Sequence, residues 1–136
     1  MRDIKFRVWD KINKEFSNHT NRDPFMDLSM GDIFYWERRQ NEDGVYEGDI
    51  ILKDENKNRF VLQQYTGLKN SSGKEIYEGD IVEAYDESEN ETFSGNVIYD
   101  QKLASFVFTN KCDTYYLTSF DLQVVGNIFQ NPELIK

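Results

Sequence analysis

Short apolar and polar stretches alternate along almost the whole chain, and a period of two is the signature of strands with one covered face. Residues 4–9 read Ile-Lys-Phe-Arg-Val-Trp, which places Ile4, Phe6 and Val8 on one side and Lys5, Arg7 and Trp9 on the other. A turn with Asn13 and Lys14 at its tip follows, and Phe16 returns toward the core. Asp23 and Pro24 have the residue types of an N-cap and a first helical position. They predict one helical turn through Phe25, Met26 and Leu28, ended by Gly31. The run Ile33, Phe34, Tyr35, Trp36 suits a strand or a continuation of that helix, and residues 41–44 form a turn. From Val45 the chain reads as a β-hairpin, outward through Leu52, around residues 53–58, and back through 60–65.

Residues 64–82 form a turn-rich hairpin followed by a buried strand, with Gly67, Gly73 and Gly79 six residues apart at the bends. Asp80 closes the Glu78-Gly79-Asp80 turn, where its carboxylate can take a backbone N–H and launch the strand. Four further strands are predicted at 93–99, 105–109, 114–118 and 122–129. With the strand that starts at Gly79 they make five, the number of a small curled barrel. Asn131 to Leu134 begins a short terminal helical turn. The fold class is therefore mainly β with little helix: an N-terminal β-rich segment, 1–63, packed on a small barrel, 64–136, as one compact unit.

The pentapeptide Tyr-Glu-Gly-Asp-Ile occurs at 46–50 and again at 77–81, and Gly31-Asp32-Ile33 echoes its last three residues. Two copies fall short of a solenoid. Both copies are read as tight bends that launch buried strands. The chemical alternative sets Asp49 against Asp80 as a carboxylate pair, for acid and base work or as metal ligands, in a metal-dependent enzyme.

Composition narrows the choice of function. Of the 136 residues 15% are aromatic, ten Phe, eight Tyr and two Trp, so rings supply much of the core volume. The net charge of −9 divides as −2 over residues 1–68 and −7 over 69–136. Phosphate is repelled by such a chain, and nucleic acid is disfavoured as a partner. An exception is the basic N-terminus, where Arg2, Lys5, Arg7, Lys11 and Lys14 face only Asp3 and Asp10. Lys5, Arg7, Trp9 and Lys11 are the residues a nucleic-acid-associated barrel would use, although covering a second layer is the commoner work of an amphipathic Trp.

One cysteine, Cys112, excludes an internal disulfide, fits a reducing compartment, and reads as a small buried hydrophobe. No apolar run approaches a membrane span, and the N-terminus lacks a signal-peptide pattern, so an intracellular protein with no membrane contact is expected. The lone His19, a solvated loop residue on this reading, has no partners for a zinc site or a Cys-His pair. Calcium-loop spacing is approached at Asp86, Ser88, Asn90 and at Asp54, Asn56, Asn58, but Glu91 and Arg59 stand where that loop needs Gly. No cofactor is predicted.

Three stretches carry a resemblance: residues 1–10, Met-Arg-Asp-Ile-Lys-Phe-Arg-Val-Trp-Asp; residues 64–69, Gln-Tyr-Thr-Gly-Leu-Lys, with 73–82, Gly-Lys-Glu-Ile-Tyr-Glu-Gly-Asp-Ile-Val; and residues 125–134, Val-Gly-Asn-Ile-Phe-Gln-Asn-Pro-Glu-Leu. In this order they resemble the YopX family of phage and prophage proteins. The resemblance spans nearly the whole chain and is weakest between Trp9 and Gln64. It implies a phage-encoded β protein with an SH3-like barrel, present in a bacterial cytoplasm and able to form a homo-oligomer. It brings no established activity and no catalytic residues. The expected function is a non-enzymatic accessory or adaptor protein that binds a phage or host protein through an aromatic-rich face.

Overall fold

The computed structural model describes residues 3–17, 24–27, 30–55 and 58–134, and it is mostly β. His19, the N-cap residue Asp23, Leu28 and Asn56 lie outside the described residues. Two compact units divide the chain: Arg7–Leu62, and Met1–Phe6 with Gln63–Lys136.

In the unit Arg7–Leu62, strand β1 (Phe6–Asp10) pairs with the short β2 (Glu15–Phe16), Trp9 opposite Phe16. Burial in β1 rises along the strand rather than alternating: Ile4 and Phe6 are exposed, Arg7 and Val8 half-buried, and Trp9 and Asp10 buried, so Trp9 takes the covering place expected of an amphipathic Trp. Trp9 meets the edge of the Phe16 ring at 4.9 Å, so the larger apolar group takes the covered side. Asp10 organises the following turn, its Oδ1 accepting the N–H groups of Ile12 and Asn13 at 2.9 and 3.2 Å. Lys14 closes that turn at φ 55°.

Three antiparallel strands make the second sheet of this unit: β3 (Phe25–Asp27), β4 (Asp32–Gln40) and β5 (Tyr46–Lys53). The helical turn expected after Pro24 is absent at Phe25 and Met26, which are extended in β3. Phe25 pairs with Phe34 and stacks on its ring at 5.5 Å, a contact that a capping motif does not register. The expected hairpin from 45 to 65 is also overturned. β5 pairs with β4, and the returning strand β6 (Phe60–Lys69) belongs to a different sheet. Buried Asp54 explains the departure. Its N–H bonds Ile33 O at 2.7 Å, and its carboxylate takes the N–H groups of Arg59 and Phe60 at 3.0 and 2.9 Å, so the chain turns out of the sheet.

In the other unit, β6 runs on to β7 (Glu75–Tyr77), and β8 (Asp80–Asp86), β9 (Glu91–Asp100), β10 (Ser105–Thr109), β11 (Thr114–Tyr116) and β12 (Leu122–Asn127) form one curled sheet. Its strand order is β11-β10-β9-β8-β12, a four-strand meander whose fifth strand returns beside the first. A 3-10 turn, Leu117–Ser119, precedes that return. This is the connectivity of a small SH3-like barrel, and each of the five predicted strands is present. Ile76, Val82, Ala84, Val97, Phe108, Leu117 and Leu122 are its buried core. Phe93, Phe108, Tyr115 and Phe120 pack ring against ring, so aromatics do fill the volume. The terminal turn is a 3-10 turn, Pro132–Leu134. Cys112, expected in the core, is exposed in the turn between β10 and β11. There Asn110 Oδ1 accepts the N–H groups of Cys112 and Asp113 at 2.8 and 3.0 Å, and this turn chemistry outweighs the apolar preference of the thiol.

Candidate functional site

Gly67, Gly73 and Gly79 have φ of 88°, 85° and 86°, the left-handed backbone that the spacing called for. Gly67 sits in β6, where the register against β7 shifts between Tyr65 and Lys69; Gly73 is in the β6–β7 turn. Gly79 stands in the two-residue turn that launches β8. Its N–H bonds Val97 O at 2.8 Å and its carbonyl accepts from Ile128 N at 2.9 Å. Asp80 is almost fully buried; its Oδ2 accepts the Tyr77 N–H at 2.8 Å, and its Oδ1 lies 3.4 Å from Asn127 Nδ2. The same amide donates to Gln63 Oε1 at 3.2 Å. Gln63, Asp80 and Asn127 thus form one buried polar cluster that ties β6, β8 and β12 together. The composition gave no hint of Gln63; a signal lies in its place beside the 64–69 stretch.

The two copies of the pentapeptide differ. At 77–81 it makes the turn described above, whereas at 46–50 it lies inside β5, where Gly48 takes φ 114° and the register against β4 shifts between Arg39 and Gln40. The first copy is thus an irregularity within a strand, and only the copy ending at Asp80 and Ile81 makes the turn that launches one. Asp49 and Asp80 lie in different units. Among the described residues, no group of three or more His, Cys, Asp or Glu is arranged to hold a metal ion.

The predicted basic set is placed as follows. Lys5 belongs to the barrel unit, where its Nζ bonds Glu75 at 3.0 Å and lies over the Tyr65 ring. That hydrogen bond raises the Lys5 ammonium above its ordinary pKa and lowers the Glu75 carboxyl. Arg7, Trp9 and Lys11 belong to the other unit. The Arg7 guanidinium covers the Phe16 ring at 4.4 Å, Trp9 is buried, and Lys11 is exposed. A firmer ionic feature there is Arg59, which grips Asp10 through Nε and Nη2 at 3.2 and 3.0 Å and lies over Tyr35. Burial by itself would push the Asp10 carboxyl up, but the bonds from Arg59 and from the turn N–H groups hold it below the usual carboxylate range.

Exposed apolar side chains line up on the sheet β3-β4-β5. Cross-strand partners share a face, so the register places Phe25, Phe34 and Lys53 in one row, Trp36 and Ile51 in the next, and Arg38 and Asp49 in a third. Tyr46 follows at the end of the stripe, with Arg38 over its ring at 4.7 Å. Trp36 is 37% and Ile51 49% exposed, and Phe25 and Tyr46 are exposed as well. Exposed aromatic and aliphatic side chains thus run along one face of this sheet, with Lys53 and Arg38 beside them. The apolar run 33–36 was visible in the sequence, but Ile51 and Phe25 as its neighbours required the strand pairing.

The barrel unit has an open cleft of about 580 Å³ lined by the paired β9 and β10 at Asn96 and Thr109 together with Ile81, Lys111, Cys112 and Leu134. A second, of about 550 Å³, is edged by Glu83, Asp86, Glu87 and Asp121. Hydrogen bonds from the Ser88 hydroxyl and N–H keep the Asp86 carboxyl below its usual range.

Comparison with known proteins fits this architecture. The family model described as "YopX protein" matches residues 5–136. The crystal structure of protein EF1440 from Enterococcus faecalis is similar at 28% identity and a TM-score of 0.59, covering 100% of both chains. The X-ray structure of protein yopX from Bacillus subtilis has a TM-score of 0.64 at 19% identity, again over 100% of both chains, and speaks for the fold. No curated protein matches the chain.

Proposed function

The chain belongs to the YopX family, and on that premise we propose that it is a non-enzymatic accessory or adaptor protein of a phage or prophage, acting by protein–protein interaction in the bacterial cytoplasm. The observation that carries this reading is the stripe Phe25, Phe34, Trp36, Ile51 and Tyr46 on one face of β3-β4-β5. Ordered aromatics left exposed on a rigid sheet are typical anchors of protein interfaces. The alternatives draw less from the geometry. Trp9, the stacking residue of the nucleic-acid reading, is buried, and the Asp80 carboxylate of the metal-enzyme reading is engaged by Tyr77 N–H and Asn127. Among the described residues, no helix is long and apolar enough to cross a membrane.

The test is capture of partners from extracts of phage-infected or prophage-bearing cells on immobilised protein. Wild type should retain a defined partner, and the Trp36→Ser, Ile51→Ser double variant should lose it while circular dichroism shows that it remains folded, at a melting temperature lowered by the lost cross-strand pair. Equal retention by the two proteins would overturn the assignment of this face.

A further inference from the structure

We propose that the cleft of about 580 Å³ in the barrel unit binds a small organic acid, an apolar body that carries one carboxylate. Its size is that of small-molecule sites, about 300–1,000 Å³. Strand register makes the floor: Ile81, Asn96 and Thr109 are direct partners across β8, β9 and β10, so they share the face opposite the core residues Val82, Val97 and Phe108. Leu134 supplies an apolar wall. It lies against Gly126, the partner of Ile81 on β12, so closely that a Cβ there would stand 2.9 Å from Leu134 Cδ1. Asn131 fixes this wall, its Oδ1 accepting the Asn127 N–H at 3.2 Å and its carbonyl the Leu134 N–H at 3.0 Å. The β10–β11 turn supplies a second wall, and Asn110 clamps it to β9 by donating from Nδ2 to Ser94 O at 3.1 Å. Thr109 Oγ1 donates to Asp113 O at 3.1 Å within the same turn. Both walls are thus fixed before a ligand arrives.

The class of ligand follows from the polar groups left over. Among the described residues, the Asn96 side-chain amide has no hydrogen-bond partner and the Lys111 ammonium no ion pair. No carboxylate is among the described residues that line this cleft, whereas Glu83, Asp86, Glu87 and Asp121 edge the other cleft of the same unit. Asp113 and Glu133 are sequence neighbours of lining residues but not among them. An anion is therefore sorted to the first cleft and away from the second, even on a chain of net charge −9. One ammonium balances one carboxylate, while a phosphate monoester, with close to two charges at neutral pH, would keep one unbalanced. Lys111 takes the head, Asn96 offers it a second donor, and Ile81 and Leu134 take the apolar body.

Cys112, the single cysteine of the chain, lines the cleft and is exposed, so its thiol reports occupancy. Alkylation of the full chain by iodoacetamide is timed by intact mass spectrometry at neutral pH with octanoate, octanol or octylammonium present. The three probes share an apolar body and differ in the charge of the head. Octanoate should protect the thiol most, with an affinity about fivefold above that of octanol, the upper worth of one exposed ion pair. Octylammonium should protect least. Lys111→Gln should abolish the advantage of octanoate over octanol while circular dichroism shows an unchanged fold, because Lys111 is exposed. Each rate is compared with that of the same protein without probe, so an effect of the substitution on the thiol itself cancels. Equal protection by octanoate and octanol in the wild type, or an octanoate advantage that survives Lys111→Gln, overturns the proposal. So does a thiol that none of the three probes protects at millimolar concentration.

Discussion

Gly79 and Gly73 share nearly the same backbone angle and differ in their surroundings. A Cβ at Gly73 would meet open space, whereas one at Gly79 would collide with the Gln63 side-chain amide. Gln63 cannot swing aside without abandoning Asn127 in the buried cluster. Gly73→Ala should therefore cost about 1–2 kcal/mol, the strain of left-handed backbone, while Gly79→Ala should cost more than about 3 kcal/mol by adding overpacking and a broken buried hydrogen bond. Urea denaturation of the two variants measures the difference, and equal midpoints would refute the role given to Gln63. These glycines and the Asp80 turn were legible in the sequence because a bend is decided by its own few residues. The environment of Gly79 was not, because Gln63 and Asn127 reach it from 16 residues before and 48 after.

Strands and turns show where local patterning stops being sufficient. Alternation found β1 but not the rise of burial along it, since that depends on neighbours such as Phe16, whose ring meets Trp9 from the paired strand. The cap signal at 23–24 favoured a helix, but the stacking of Phe25 on Phe34 rewards an extended chain. Likewise the turn signals at 53–58 were real, yet Asp54 uses them to leave the sheet. The exposed stripe escaped the sequence for the same reason: pattern gives two faces and leaves open which one is covered. The β1–β2 turn also carries a pH dependence. The Asp10 carboxyl is held below its unfolded value, so the pair with Arg59 stabilises the fold fully above the ordinary carboxylate pKa and is lost as pH falls through the lower folded value. Asp10→Asn should cost on the order of 1–3 kcal/mol at pH 7. Thermal melts should show this gap narrowing below about pH 4, and a gap constant from pH 7 to pH 2 would refute the assignment.

At the scale of the whole molecule, charge and domain organisation set the terms. With a net charge of −9, Lys5 paired to Glu75 and Trp9 buried, retention of single-stranded DNA or RNA should be undetectable even at low ionic strength. A gel-shift titration at about 10 mM salt, where the Debye length is roughly 30 Å, is the sensitive test. Binding that disappears with added salt would restore the nucleic-acid reading. The mainly β class and the five barrel strands were readable from spacing, because a meander joins sequence neighbours. Membership of one unit was not, because Met1–Phe6 is grouped with Gln63–Lys136 across an intervening unit.

That grouping bears on how the chain is made. During synthesis the first six residues leave the ribosome before the 7–62 unit, but their partners follow it: the Tyr65 N–H that bonds Lys5 O, and the Glu75 carboxylate that bonds Lys5 Nζ. At roughly 5–20 residues per second, the N-terminal segment waits several seconds for them. The middle unit can be complete while the one that encloses it in sequence is still half translated. A bulky fusion before Met1 would therefore burden the barrel, whose strands emerge after the 7–62 unit, rather than the unit next to the fusion in sequence.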